Sequence, residues 1–361
     1  MSVRSAAGPR RPPKAAGSAY KNLRTIHAKE STLVTRRTFL ITSGTAVGAV
    51  PVLSFRQAFS KSLGHVSPVT FKVPAGATDC HCHVFDPQRF PYSPKRRYTP
   101  PPATISELRQ FHSAIGVQRT VLVQPSVYGT DNACLVDALN QLGTSARGIA
   151  VVDKSFSAQQ LDDLIGVGVR GVRINLEVGN DRSVDDAYRR LMDTIDALHG
   201  RRAIIQIFAA LGVIELLAPR IQAQPYPVIV DHFGFAKAVK GPRQDGFSAL
   251  TGLMASGKVF VKLSAPYRIS ELGPGYPDSK SIGAALVQAA PNQVIWASDW
   301  PHTGSTERRS DAKQTDIEEF RNEDEGQTFS LVKYWAENEP DRHKLLVDNP
   351  SNLFGFGAGR I

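Results

Sequence analysis

The chain has 361 residues, 42% hydrophobic and 21% charged, which suffices for a large core and is too balanced for a disordered polymer. A formal net charge of +10 would suit a nucleic-acid binder, but nine Lys and Arg (Arg4, Arg10, Arg11, Lys14, Lys21, Arg24, Lys29, Arg36, Arg37) crowd into residues 1–37 beside one acid, Glu30. The rest of the chain, with 34 basic and 32 acidic residues, is close to neutral, which argues against nucleic-acid binding by the folded body.

In chain order, the first element is a basic leader over residues 1–60, expected to be disordered. Within it Thr35-Arg36-Arg37-Thr38-Phe39-Leu40 fits the twin-arginine export pattern, followed by a mildly apolar run from Phe39 to Leu53 and small residues at Ala58-Phe59-Ser60 suited to cleavage. That run falls short of the ~20 apolar residues a membrane span needs. The expectation is export to the periplasm or beyond, with the twin-arginine machinery as partner and no stable membrane span. The plainer alternative is a basic tail on a cytoplasmic protein. Residues 61–76 read as a linker, and 77–356 as one domain.

From residue 77 onward, short β-branched runs alternate with amphipathic stretches. Strands are expected at Ala77–Phe85, Arg119–Ser126, Ala146–Asp153, Val169–Leu176, Ala203–Phe208, Pro227–His232, Val259–Ser264 and Val294–Asp299, with helices near 104–115, 132–142, 157–166, 184–199, 211–223, 246–257 and 279–290. Near-continuous apolar strands followed by helices imply a parallel sheet covered on both faces. Eight such units close an α/β barrel of the TIM type, (β/α)8, a single domain behind the leader. A proline-rich insertion from Asp86 to Pro102 leaves the first strand at its carboxyl end, where loops cover barrel active sites, and a long polar segment runs from Gly304 to Gln327. Of the three cysteines, Cys80 and Cys82 flank histidines on one strand and are expected in the layer between barrel and helices, as small hydrophobes.

Polar residues gather at one end of these otherwise apolar strands: His81 and His83, Gln124 and Ser126, Asp153, Arg173 and Asn175, Gln206, Asp231 and His232, Lys262 and Ser264, and Asp299. The carboxyl ends of barrel strands form the active-site face. Side chains two residues apart on a strand share a face, so His81 and His83 point together and can share a metal ion or a substrate carbonyl. Asp299, before the Trp300-Pro301 break, can supply a base.

As a set, His81-Cys82-His83, Gly171-Val172-Arg173-Ile174-Asn175, Asp231-His232-Phe233-Gly234, Lys262-Leu263-Ser264 and Ser298-Asp299-Trp300-Pro301-His302 resemble the amidohydrolase superfamily. More narrowly, with Gln124-Pro125-Ser126-Val127-Tyr128, they are similar to its branch of 2-pyrone-4,6-dicarboxylate lactonase and D-galactarolactone isomerase, over about residues 75–356. The resemblance implies a hydrolase that opens a carboxylated lactone of the sugar-acid or aromatic-degradation type. Asp299 would be the general base, His81, His83 and His232 would polarise the carbonyl, and Arg173 and Arg268 would grip carboxylates. Ser126, Tyr98, Arg182 and Tyr267 would be further substrate contacts. The alternative for the arginines is a salt bridge to Asp153 or Asp231. Metal-dependent members add a histidine on strand five, where this chain has Gln206, so no obligatory metal or other cofactor is expected. If one divalent ion such as zinc binds, its ligands would be His81, His83, His232 and Asp299. Other readings are a lactone isomerase using the same groups, a metal-dependent decarboxylase, or a non-catalytic periplasmic sugar-acid-binding protein.

Overall fold

A computed structural model describes residues 64–176, 184–304 and 313–357. The leader with its twin-arginine motif and Arg182 lie outside the described residues. Eight parallel strands pair strictly in chain order: β1 Thr78–Cys82, β2 Arg119–Val123, β3 Ala146–Ala150, β4 Val169–Asn175, β5 Ile204–Phe208, β6 Val228–Val230, β7 Val259–Ser264 and β8 Val294–Ala297. Just past β8, Asp299 N–H donates to the His81 carbonyl at 3.0 Å and His83 N–H to the Trp300 carbonyl at 2.9 Å, joining the last strand to the first. Helices α1 Ile105–Ile115, α2 Ala133–Leu142, α3 Ala158–Gly166, α4 Val184–Ala197, α5 Leu211–Ala223, α6 Phe247–Ala255 and α7 Ser279–Ala289 follow β1 to β7 in turn. The result is a (β/α)8 barrel. All the strands and helices expected from the sequence pattern are present within a few residues of their expected bounds.

Each strand alternates between two cores. Val121, Val123, Ile149, Ile204, Ile229 and Ile295 face inward and fill the lumen, sealed below by Leu353 and Phe354. Their neighbours Leu122, Ala150, Ile205, Val230 and Trp296 face outward into the helix layer. Helix α1 shows how that layer is set. Thr104 and Glu107 form a reciprocal capping box at its start, and Gly116 at φ 75° ends it. Between them Leu108, Phe111 and Ile115, at helical spacing, are fully buried. Cutting Phe111 back to Ala should cost about 3–5 kcal/mol, as large-to-small core changes do.

One departure from strict alternation matters for the site. Asp79 pairs with Thr120 and Cys82 with Leu122, so β1 carries one more residue than β2 across that interval, a β-bulge. Cys80 therefore lies in the lumen beside Val121, Ile149 and Ile295, not in the helix layer as the two-residue period suggests. Cys82 does face the helices, together with Asp79. All three cysteines are free and buried.

Over the carboxyl end of the barrel, the 86–102 insertion is tied to the segment after β8. Glu318 N–H donates to the Thr99 carbonyl at 2.8 Å, and Thr99 Oγ1 to the Gln314 carbonyl at 2.6 Å. Below, Val66, Val69, Phe71 and Val73 pack on the core, so residues 64–73 adhere to the domain. Among the described residues, no helix is long and apolar enough to cross a membrane.

Candidate active site

The carboxyl ends of the strands bring His81, His83, His232 and Asp299 to one point. Asp299 Oδ1 lies 3.7 Å from His81 Nε2, 3.7 Å from His83 Nε2 and 3.9 Å from His232 Nε2. Its other oxygen, Oδ2, is occupied: it accepts from the Tyr267 hydroxyl at 2.7 Å and from Arg268 Nε and Nη2 at 3.0 and 2.7 Å. Asp299 holds φ at +64°, a left-handed conformation costly for a residue with a side chain, which turns its carboxylate into the lumen.

The histidines are held from behind. His83 Nδ1 donates to the Val123 carbonyl at 2.8 Å, since a carbonyl can only accept. His232 Nδ1 meets Ser264 Oγ at 2.8 Å, leaving its buried Nε2 with no hydrogen-bond partner. His81 Nδ1 faces Lys262 Nζ at 3.2 Å, and its Nε2 faces His83 Nε2 at 3.2 Å. Lys262, fully buried, also donates to Gln206 Oε1 at 2.7 Å and lies 3.3 Å from Asp231 Oδ1, while Gln206 Nε2 donates to Asp231 Oδ2 at 2.9 Å.

Burial keeps these imidazoles neutral. It lowers His83 to about 4, and His232 to about 3, against the pull of Asp299. His81 is pushed well below the usual histidine range by burial and then by Lys262. Burial alone would raise the Asp299 carboxyl, but Arg268 holds it well below the usual carboxylate range. Asp231 is likewise held down against burial, chiefly by Lys262. Burial lowers Lys262 in turn, with Asp231 opposing.

The remaining expected contacts fall at different distances from this centre. Arg173 Nε lies 3.7 Å from Asp231 Oδ2 without a hydrogen bond, so the alternative ion pair exists in a loose form. Arg268 pairs with Asp299 and with neither Asp153 nor Asp231. Asp153 is capped by Ser155 instead. Both guanidiniums stack on Phe208, at 5.0 and 6.0 Å from its ring centre. Tyr98, from the insertion, sits near Ser126, which opposes the rise that burial gives the Tyr98 hydroxyl. A cavity of about 640 Å³ opens beside the centre, lined by Ser126, Asp153, Lys154, Arg173 and Asn175 among others. Sequence reasoning placed Lys262, Gln206, Asp231 and Ser264 at the strand ends but gave them no part in the chemistry beyond Asp231 as an ion-pair partner for the arginines, and it passed over Phe208. The signal was available in the period of two, which puts Lys262 in phase with Ser264, and Gln206 with Phe208, on the lumen face.

By distance alone the central group resembles a metal-binding set, because ligand atoms of His81, His232 and Asp299 lie within 4.8 Å of one another. Its charges run against that. Asp299 is already countered by Arg268 and Asp231 by Lys262, with Arg173 in addition, so a divalent ion would add to an already positive buried centre. A second group on the outer face of β1, Asp79, Cys82 and His112, is closed by its own hydrogen bonds. Asp79 Oδ2 accepts from Cys82 Sγ at 2.9 Å, from His112 Nε2 at 3.1 Å and from Ser298 Oγ at 2.5 Å, and its Oδ1 from Ser298 N–H at 2.9 Å.

Imidazoles, a carboxylate and guanidiniums at the mouth of a parallel eight-stranded barrel define a hydrolytic barrel enzyme. The family profile described as Amidohydrolase matches residues 78–356, and the chain is an enzyme belonging to the amidohydrolase family. It is 33% identical over 294 residues to a 4-sulfomuconolactone hydrolase of Hydrogenophaga intermedia, covering 81% of this chain and 92% of that protein. It is 34% identical over 299 residues to a 2-pyrone-4,6-dicarboxylate hydrolase of Comamonas testosteroni, covering 79% and 92%. A solved structure of a 2-pyrone-4,6-dicarboxylic acid hydrolase homologue from Pseudomonas putida superposes with a TM-score of 0.66 at 27% identity, covering 80% of this chain and all of that one.

Proposed function

We propose that this enzyme hydrolyses a lactone bearing an anionic substituent. The carrying observation is the asymmetry of Asp299, whose Oδ2 is locked by Tyr267 and Arg268 while Oδ1 stays open towards three neutral imidazoles. Oδ1 takes a proton from water as the water oxygen bonds to the lactone carbonyl carbon. His81, through a hydrogen on Nε2, steadies the negative charge that builds on the carbonyl oxygen, with His232 beside it. The ring carbon–oxygen bond then breaks, and Asp299 returns the proton to the departing ring oxygen. Arg173, beside the cavity, binds the anionic substituent through its guanidinium. Relatives that act on a sulfomuconolactone and a pyrone dicarboxylate support a doubly functional substrate of this kind.

In this reading no step requires a metal ion, and turnover should survive exhaustive dialysis against a chelator. The deciding experiment is a proton NMR time course with the full chain and a panel of carboxylated and sulfonated lactones, beside Asp299→Asn. An open-chain acid formed only by the wild type supports hydrolysis. A new lactone without acid would transfer the same groups to isomerisation, with a substrate hydroxyl replacing water. The leader reading adds export: Arg36→Lys with Arg37→Lys should retain the protein in the cytoplasm, and unchanged export of that variant would refute it.

A further inference from the structure

The hydrogen atoms between Lys262, His81 and His83 are determined by their partners. At one end, His83 Nδ1 faces the Val123 carbonyl at 2.8 Å and must carry hydrogen, so neutral His83 has a bare Nε2. That bare nitrogen sits 3.2 Å from His81 Nε2, so the hydrogen between them belongs to His81. At the other end, Lys262 Nζ lies 3.2 Å from His81 Nδ1, and an ammonium can only donate. A hydrogen on Nδ1 would oppose it. The competing acceptor for such a hydrogen, Asp231 Oδ1, is 3.4 Å away and makes no hydrogen bond. Both ends therefore give the same tautomer, and the hydrogen bonds run one way: Lys262 Nζ to His81 Nδ1, His81 Nε2 to His83 Nε2, His83 Nδ1 to the Val123 carbonyl.

We propose that Lys262 is the positioning residue of the histidine pair, fixing His81 with its hydrogen on Nε2 so that His81 offers the chamber a donor and offers a metal ion no free lone pair. The companions of Lys262 fit this role. Gln206 Oε1 and His81 Nδ1 accept from the ammonium at 2.7 and 3.2 Å, and Asp231 Oδ1, 3.3 Å away, supplies the counter-charge without a hydrogen bond. Gln206 occupies the strand-five position and spends its amide on Asp231, keeping that carboxylate in place. In the substrate complex, the His81 Nε2 hydrogen turns from His83 to the carbonyl oxygen, a donor aimed where charge develops. The tautomer follows from these contacts with Lys262 charged beside Asp231 and His83 neutral; its catalytic use rests on the lactone-hydrolase reading.

The test is long-range proton–nitrogen NMR on the full chain labelled with 15N-histidine, with the His81 and His83 signals assigned by their loss in His81→Asn and His83→Asn. The wild type should show His81 with hydrogen on Nε2 and His83 with hydrogen on Nδ1. In Lys262→Met, Asp231 loses its neighbouring cation and should draw the His81 hydrogen to Nδ1, overriding the weaker pull of His83 Nε2. kcat should then fall about 10²–10³-fold, as for loss of one oxyanion donor, with KM changed far less. The same variant should take zinc from a chromogenic chelator under conditions where the wild type does not. A wild-type His81 with hydrogen on Nδ1 would overturn the proposal, and so would an unchanged tautomer in Lys262→Met. Should that variant not fold, the wild-type spectrum still decides, and Lys262→Gln gives a second chance at the shift. Absence of lactone turnover beside the expected wild-type tautomers would count against the hydrolase reading and leave Lys262 in its place.

Discussion

Strand β1 carries a histidine–carboxylate cluster on each face, and the two are built on opposite terms. On the outer face, Asp79 gathers Cys82, His112 and Ser298, and both its oxygens are saturated with donors. On the inner face, His232 Nε2, Asp231 Oδ1 and Arg173 Nε are buried without a hydrogen-bond partner. Buried polar groups are normally satisfied, and leaving one bare costs about 1–3 kcal/mol. The outer cluster ties β1 to the end of β8 and so sets the distance between His81 and Asp299. The inner cluster leaves atoms bare at the place where a substrate would complete them. On the proposed function, similar residue types serve structure when closed and chemistry when left open.

The comparison breaks most sharply at Asp299. Asp299→Asn keeps the shape and removes the base, and kcat should fall by about 10²–10⁴ with substrate binding little altered. Stopped assays showing activity within a few-fold of wild type would sink the base assignment. Next comes Arg173→Met, which removes a charge-assisted contact worth about 1.5–3 kcal/mol. KM for an anionic lactone should rise by about 10- to 150-fold, and an equal loss on an uncharged lactone would argue against the clamp. On the outer face, Asp79→Asn should act on stability instead. Replacing a saturated carboxylate by an amide leaves donors facing a donor, at about 1–3 kcal/mol in denaturant unfolding. The folded fraction should keep a near-normal KM; a KM changed as much as in Arg173→Met would erase the distinction between the faces.

Much of this was legible in the chain because strand periodicity and strand-end polarity are local. The order of β1 to β8 follows from eight apolar runs separated by helices, and His81, His83, His232 and Asp299 stand at strand ends in the sequence itself. The bulge between Asp79 and Cys82 was not legible, because one extra residue changes no local preference and reveals itself only against the β2 partner. For the same reason Cys80 was expected in the wrong layer. Lys262 was visible as an odd charge in an apolar strand, yet its role depends on His81, Gln206 and Asp231 meeting from three other parts of the barrel. Phe208 looked like one more apolar residue. Only the two guanidiniums against its ring give it a place in the site.

The smallest expected effect is pH dependence of kcat near neutrality, and its flatness separates activity from stability. His83 titrates at about 4 and His232 at about 3, both lowered by burial, and Asp299 stays ionised below the usual carboxylate range. From pH 5 to 8 His83, His232 and Asp299 therefore keep one protonation state, and kcat should not follow histidine titration, falling only as pH approaches 4. Stability should behave differently. Unfolded histidines titrate near 6.5, so between about 6.5 and 4 the unfolded chain binds protons that buried His83 refuses. Stability must then fall as pH drops through that window while kcat of the folded enzyme holds. Thermal melts and initial rates over the same buffers check this together. A kcat that declines in step with histidine titration near 6.5 would mean that the inner imidazoles are not kept neutral by burial.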